Sequence, residues 1–186
     1  MAKHLTITGH STALFSTWYY VREYAALFDC GDGVTAALMQ SARRIKHVFI
    51  SHADRDHLAG LMRFLQLNGR EELSIYYPRD CGSFPALAEF SAKFDPGSKG
   101  TKWVPLDRNQ EVQIRQDLIV RAVENRHVET AGRQVKSLSY FIDEVSRKLK
   151  PEYAVLPGTE IAGLRKERGN TAITNEIRTP QFAFSA

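Results

Sequence analysis

Between Val48 and Leu65 the chain changes character twice within a short span. Val48-Phe49-Ile50 is an apolar, β-branched run of the kind that forms a buried strand, and it ends at Ser51. Leu58, Leu61, Met62 and Leu65 fall at i, i+3, i+4 and i+7, which predicts a helix starting just after His57 and stopping near Asn68-Gly69. Between them stands Ser51-His52-Ala53-Asp54-Arg55-Asp56-His57, a polar loop in which His52, Asp54, Asp56 and His57 are all able to bind a metal. The order strand, polar loop, helix restricts the chain to folds that alternate these elements.

The rest of the chain extends that order. Lys3 to Thr8 and Tyr24 to Cys30 read as strands, the second ending in the turn Cys30-Gly31-Asp32-Gly33. Val34, Ala37, Leu38 and Ile45 recur at helical spacing. Asp95-Pro96-Gly97-Ser98-Lys99-Gly100 is a loop, and short strands are expected beyond it at Lys102 to Pro105, Glu111 to Ile114, Leu118 to Val123, Leu138 to Asp143 and Phe182 to Phe184. Many strands with few long helices imply a large sheet system covered by the helices of the first hundred residues, hence mixed α/β layers. No repeat, low-complexity segment or Pro/Gly/Ser linker divides the chain, so residues 1–186 read as one domain.

A chain of 186 residues should bury roughly two-thirds of its unfolded surface, so neither disulfides nor a structural metal is needed for stability. Cys30 and Cys81 match no CxxC or zinc-ribbon spacing and read as free thiols of a reducing, cytoplasmic setting. No apolar run reaches membrane length, and the start, MAKHLTITG, lacks the regions of a signal peptide. The 25 basic against 21 acidic side chains give a net charge of +4 that leans toward a polyanionic partner. The densest basic stretches are Arg43-Arg44-Ile45-Lys46, Arg147-Lys148-Leu149-Lys150 and Arg165-Lys166-Glu167-Arg168, and most such runs are simply solvated faces.

The polar loop carries the chemistry. In an extended loop, residues two apart point the same way, so His52 and Asp54 can converge on one ion while Asp56 and His57 face a second. Imidazole nitrogen and carboxylate oxygen suit zinc or manganese better than calcium. The structural reading of the same residues is a loop in which Asp56 and His57 merely open the following helix, with Asp56 near its positive end. His47, at the start of a buried strand, and His4 and His10, without partners at ligand spacing, read as structural or exposed. Trp18, Tyr19 and Tyr20 read as core or interface before they read as a base-stacking platform. Arg22 and Arg126 are single arginines that could meet phosphate.

The run His52 to His57, followed by Leu58-Ala59-Gly60-Leu61, resembles the H-x-H-x-D-H signature of the metallo-β-lactamase fold. Phe28-Asp29-Cys30-Gly31-Asp32-Gly33 resembles that superfamily's strand-end Asp and glycine turn. Within it the match is to the tRNA 3′-processing endonuclease, ribonuclease Z. Asn125-Arg126-His127-Val128 and Ser139-Tyr140-Phe141-Ile142-Asp143-Glu144 resemble the family's metal-binding His and a strand ending in Glu. The stretch from Leu149-Lys150-Pro151 through Leu156-Pro157-Gly158 to Gly169 resembles the segment carrying its substrate-gripping arm.

The resemblance implies an αββα four-layer sandwich and two divalent ions, zinc first, with manganese or iron as alternatives. His52, Asp54 and His127 would hold the first ion, and Asp56 with His57 the second. Asp56 would orient the attacking water and take its proton. Asp29, at a strand end before Gly31, reads as an acceptor of backbone or ligand-histidine hydrogen bonds, and Glu144 as either steering a ligand histidine or forming an exposed salt bridge. Two features depart from the family: position 54 is Asp rather than His, and Gln181-Phe182-Ala183-Phe184-Ser185-Ala186 resembles the strand leading to a bridging Asp and a further His that this sequence lacks. The chain is therefore expected to be the larger N-terminal part of the fold. The function implied is removal of the 3′ trailer from precursor tRNA, with RNA as partner, a homodimer as assembly and no membrane. The competing readings are another hydrolase of this fold, acting on a thioester, lactone or small phosphodiester, and a degenerate partner that binds RNA without turnover.

Overall fold

The computed structural model describes residues 4–130, 132 and 134–185. Its first sheet is β1 (Ile7–Thr12), β2 (Ser16–Val21), β3 (Ala26–Phe28), β4 (His47–Phe49), β5 (Ser74–Pro78) and β6 (Lys102–Leu106), hydrogen-bonded in that order. β1, β2 and β3 are antiparallel, and β3 to β6 are parallel. Each parallel pair needs a crossover. These are supplied by α1 (Val34–Leu38) with a following 3₁₀ turn, by α2 (Arg55–Leu58) and α3 (Leu61–Asn68), and by α4 (Ser83–Phe94). The second sheet is antiparallel, in the order β10 (Thr174–Phe184), β9 (Leu138–Leu149), β8 (Leu118–Glu124) and β7 (Glu111–Arg115).

Side-chain alternation along the parallel strands sorts the core into two layers. Leu27, Val48, Ile50, Ile75 and Tyr77 pack with Val34, Leu38, Leu61, Phe64, Leu65 and Phe84, so the helices cover one face of the first sheet. Ala26, Phe28, Phe49 and Tyr76 point the other way and pack on Leu118, Val120, Ala122, Leu138, Tyr140 and Ile142 of the second sheet. Helix, sheet and sheet are thus three consecutive layers of the expected four. α5 (Gly158–Arg168) carries no buried residue, and it follows the outer half of β9, whose Ser146, Arg147 and Lys148 are exposed.

Several elements depart from the sequence expectation. The first strand is displaced to Ile7–Thr12 and Lys3 lies outside the described residues, because the register is set by pairing with β2 rather than by apolar content. The helix expected after His57 begins at Arg55, which puts Asp56 and His57 inside its first turn. It then breaks at Gly60, whose N–H donates to Cys30 O while its carbonyl accepts from Phe64 N–H to start α3. β9 runs beyond Asp143 to Leu149 and β10 begins at Thr174 rather than Phe182, since the two pair with each other along an exposed hairpin that needs no apolar face.

Candidate metal centre

The candidate site lies at the carboxyl ends of β3 and β4, where parallel sheets expose their loops. Asp29 directly follows β3 and adopts the left-handed conformation at φ 55, a placement uncommon for a non-glycine residue. There its fully buried carboxylate collects three donors. Ser51 N–H donates to Oδ1 at 2.7 Å, Ser51 O–H to Oδ2 at 2.9 Å, and His57 Nδ1–H to Oδ2 at 2.5 Å. The end of β4 is held from the second sheet as well: Tyr140 O–H donates to Ile50 O at 2.7 Å and Leu138 N–H to Ser51 O at 2.8 Å.

This network fixes the histidine tautomers. A hydroxyl has one proton, and Ser51 gives its proton to Asp29. Its oxygen can then only accept from His52 Nδ1, 2.8 Å away. His52 Nε2 is left as a bare lone pair, and it is buried with no hydrogen-bond partner. An unsatisfied buried polar atom costs about 1–3 kcal/mol, so its placement calls for a ligand. What it faces is a cluster: the His52 ring centroid lies 4.0 Å from that of His57 and 4.3 Å from that of His127.

Burial, then the charges of His57 and His127, lower the pKa of His52 to about 4, so its imidazole is neutral at physiological pH, the form that a metal would need. Burial opposes a charged His57, but the hydrogen bond and charge of Asp29, with Asp56 and Asp54 behind them, prevail and raise its pKa. Burial lifts the pKa of Asp29, with His57 and Ser51 pulling against it.

The donor set fits a small divalent ion. Two ligand atoms, each about 2.1 Å from a tetrahedral ion, stand about 3.4 Å apart. His52 Nε2 and Asp54 Oδ2 are 3.5 Å apart, and His57 Nε2 and Asp56 Oδ2 are 3.4 Å apart. The ligand atoms of His52, Asp54 and His127 lie within 4.8 Å of one another, with Asp54 and His127 exposed. Five of the seven residues singled out for the site, His52, Asp54, Asp56, His57 and His127, therefore converge, and Asp29 buttresses them.

Glu144 does not join them. It sits on β9 opposite Leu118 and Thr179, six residues along the strand from Leu138, which is the end that touches Ser51, and it interacts electrostatically with Arg115. Glu144 is the seventh of the twelve residues of β9, so it stands in the middle of the strand, with the Arg115 guanidinium as an electrostatic neighbour. His47 stacks on Tyr76 at 6.0 Å, a structural role. His4 and His10 are exposed. Trp18 and Tyr20 are core residues and Tyr19 packs on Phe184, which leaves no three-ring stacking platform. Arg22 opens a 3₁₀ turn, and Arg126 lines an open polar cleft with Arg108 and Glu124. Cys30 and Cys81 are both free and buried.

Three residues of the site carry no sequence signal of their own. Ser51 bridges Asp29 and His52. Asn125 Oδ1 accepts His127 N–H at 3.1 Å and the Ser137 hydroxyl, which shapes the loop that presents His127. Leu14 N–H donates to Asp56 Oδ2 at 3.2 Å.

Residues 25–160 match the Beta-lactamase superfamily domain. The chain is 31% identical over 178 residues to the nuclear ribonuclease Z of Triticum aestivum, covering 93% of this chain and 90% of that protein. It is 28% identical over 185 residues to the chloroplastic tRNase Z TRZ2 of Arabidopsis thaliana, covering 97% of this chain and 47% of that one. A crystal structure of human tRNase Z, short form, superposes with a TM-score of 0.50 at 17% identity, covering 77% of this chain and 58% of that one, which shows the shared fold. The chain spans about half the length of the Arabidopsis and human proteins. No helix among the described residues is long and apolar enough to cross a membrane. A polar loop with its ligands at the carboxyl ends of parallel strands, a two-sheet core and the extent of these matches lead to one assignment: the chain belongs to the ribonuclease Z family of the β-lactamase superfamily.

Proposed function

We propose that this chain supplies the metal centre of an endonuclease that removes the 3′ trailer from precursor tRNA. The observation that carries the reading is the bare, buried Nε2 of His52 facing His57, His127 and Asp54. His52, Asp54 and His127 would hold one divalent ion, and Asp56 with His57 a second. When bound, two such ions supply an acidified water and neutralise charge on a phosphodiester.

The protein's own groups do the rest. Asp29 keeps the His57 Nδ1 proton in place, so Nε2 is presented toward Asp56. Asp56, tied through Oδ2 to Leu14, would orient the attacking water and accept its proton. Substrate contact falls to the projecting hairpin: Arg147, Lys148 and Lys150 on or beside β9 and Arg165, Lys166 and Arg168 on α5 form a basic arm suited to the phosphates of a structured RNA. This arm favours RNA over a thioester or lactone, neither of which needs a row of cations. A homodimer is part of the same reading, as is a reducing compartment for the two buried thiols.

The test is cleavage of a 3′-extended precursor tRNA by the chain loaded with zinc or manganese, beside His52→Ala/His57→Ala. A matured tRNA with a 3′ hydroxyl, absent with the double variant, is expected. Binding of the RNA with no cleavage under either metal would replace the nuclease with a non-catalytic RNA-binding partner.

A further inference from the structure

We infer that the turn Ala13–Phe15 positions Asp56, with Leu14 acting through its main-chain N–H rather than its side chain. The consequence for metal binding rests on the two-ion reading above, whereas the geometry stands independently of it. Leu14 adopts φ 69, in the left-handed region, which costs a residue other than glycine on the order of 1 kcal/mol. Nothing in packing offsets that cost: the Leu14 side chain is 89% exposed and that of Phe15 75%. That φ is what position i+2 of the turn from Thr12 to Phe15 requires, and the same turn aims the Leu14 N–H at Asp56 Oδ2, across 42 positions of sequence.

The turn is built to hold that aim. Phe15 N–H closes it by donating to Thr12 O at 3.0 Å, and Ser16, buried just beyond, donates its hydroxyl to Asp32 O at 2.7 Å. Gly31 N–H donates to Thr17 O at 3.0 Å. A Cβ on Gly31 would stand 2.4 Å from Asp56 O and 2.6 Å from Thr17 N, so the hairpin and the Asp56 backbone are pressed against the same glycine. With both backbones fixed, the Leu14–Asp56 bond is the link that restrains the carboxylate itself. The oxygen it holds, Oδ2, is the one 3.4 Å from His57 Nε2. Leu14 is therefore a positioning residue: it keeps the Asp56 oxygen at the separation from His57 that a shared ion requires.

Two measurements test this on the whole chain. In ¹⁵N-labelled protein, Asp56→Ala should move the Leu14 amide resonance and speed its hydrogen exchange. An amide indifferent to Asp56 overturns the proposal. In calorimetric titration with zinc, Leu14→Pro lacks the N–H and cannot reach φ 69, whereas Leu14→Gly keeps the donor and adopts that φ freely. The proline variant should bind its second equivalent of zinc at least tenfold more weakly, in the range seen when outer-shell support is lost, and the glycine variant should restore parental binding. Equal binding by the two variants would also overturn it. If Leu14→Pro does not fold, the amide measurement decides alone. Parental zinc stoichiometry and a responsive amide, combined with no cleavage of precursor tRNA, would refute the nuclease reading and leave the positioning role supported.

Discussion

Asp29 Oδ2 lies 2.5 Å from His57 Nδ1, joining a strand end to the first turn of a helix 28 residues later, deep in a site where Asp29 has no exposure to water. The same carboxylate holds Ser51, and through Ser51 the tautomer of His52. One buried carboxyl group thus orients two histidines of the candidate site. Asp29→Ala should leave the Ser51 N–H and the His57 Nδ1–H without acceptors, at a cost of about 3 kcal/mol in unfolding free energy. It should also weaken zinc binding by about 10–100-fold. Denaturant unfolding and zinc calorimetry read the two effects. Asp29→Asn, which tolerates the left-handed backbone and retains one acceptor oxygen, should fall between the parent and the alanine variant in both.

Backbone contact, as much as side chains, brings the glycine turn to the metal loop. A Cβ on Gly60 would stand 2.2 Å from Gly31 O, and Gly60 N–H already donates to Cys30 O at 2.9 Å. Neither neighbour is a flexible side-chain tip, so Gly60→Ala must separate the α2–α3 junction from the turn after β3. We expect a loss of about 1–3 kcal/mol in stability, as for overpacking of a dense interior. Gly82→Ala, where a Cβ would meet nothing within 4 Å, is the matched control and should be near neutral by thermal unfolding.

The contrast between what the sequence shows and what it conceals has a physical basis. The strand, loop and helix around His52 were legible because periodicity changes sharply there and four of the candidate ligands are neighbours in sequence. β2 was not, because Ser16 to Val21 is covered on both faces and shows no alternation: Trp18 and Tyr20 enter one core layer and Tyr19 borders the other. β5 is similarly continuous. α4 escaped notice because its apolar residues ring the helix, with Phe90 and Phe94 stacked on the exposed side. His127 could be placed only by resemblance, since a histidine seventy residues from the loop has no local signal. Ser51 and Asn125 act through one hydroxyl and one amide, residue types too common to stand out. Glu144 lies mid-strand on β9 with Arg115 as an electrostatic neighbour, a pairing that the order of residues along one strand does not reveal.

Acid should weaken the fold through His47. Burial, with Lys46 adjacent, lowers its pKa to about 4, whereas in the unfolded chain it titrates near 6.5. Between these values the unfolded state binds the extra proton and the folded state does not, so stability falls as pH drops from about 6.5 to 4. His52, likewise lowered to about 4, contributes in the same direction. His47→Phe keeps a ring against Tyr76 but removes the titration, and its unfolding free energy should depend on pH less steeply, by up to one proton over that window. An unchanged slope would place the acid sensitivity elsewhere.

In the proposed first site, Asp54 would set the charge. Two histidines and a carboxylate carry one more negative charge than three imidazoles, which offsets the ion's charge, favours a harder cation and leaves bound water less acidic. The 3.5 Å between Asp54 Oδ2 and His52 Nε2 lets the carboxylate act as a ligand, and its side chain is 63% exposed, leaving room for a larger imidazole. Asp54→His should therefore tighten zinc binding by about tenfold or more while narrowing any preference for manganese. Competition between the two metals, read by elemental analysis after dialysis against equal concentrations, would show more zinc in the variant than in the parent. Unchanged or weaker zinc affinity would mean that position 54 is not a ligand, and the first ion would then depend on His52, His127 and donors from outside these residues.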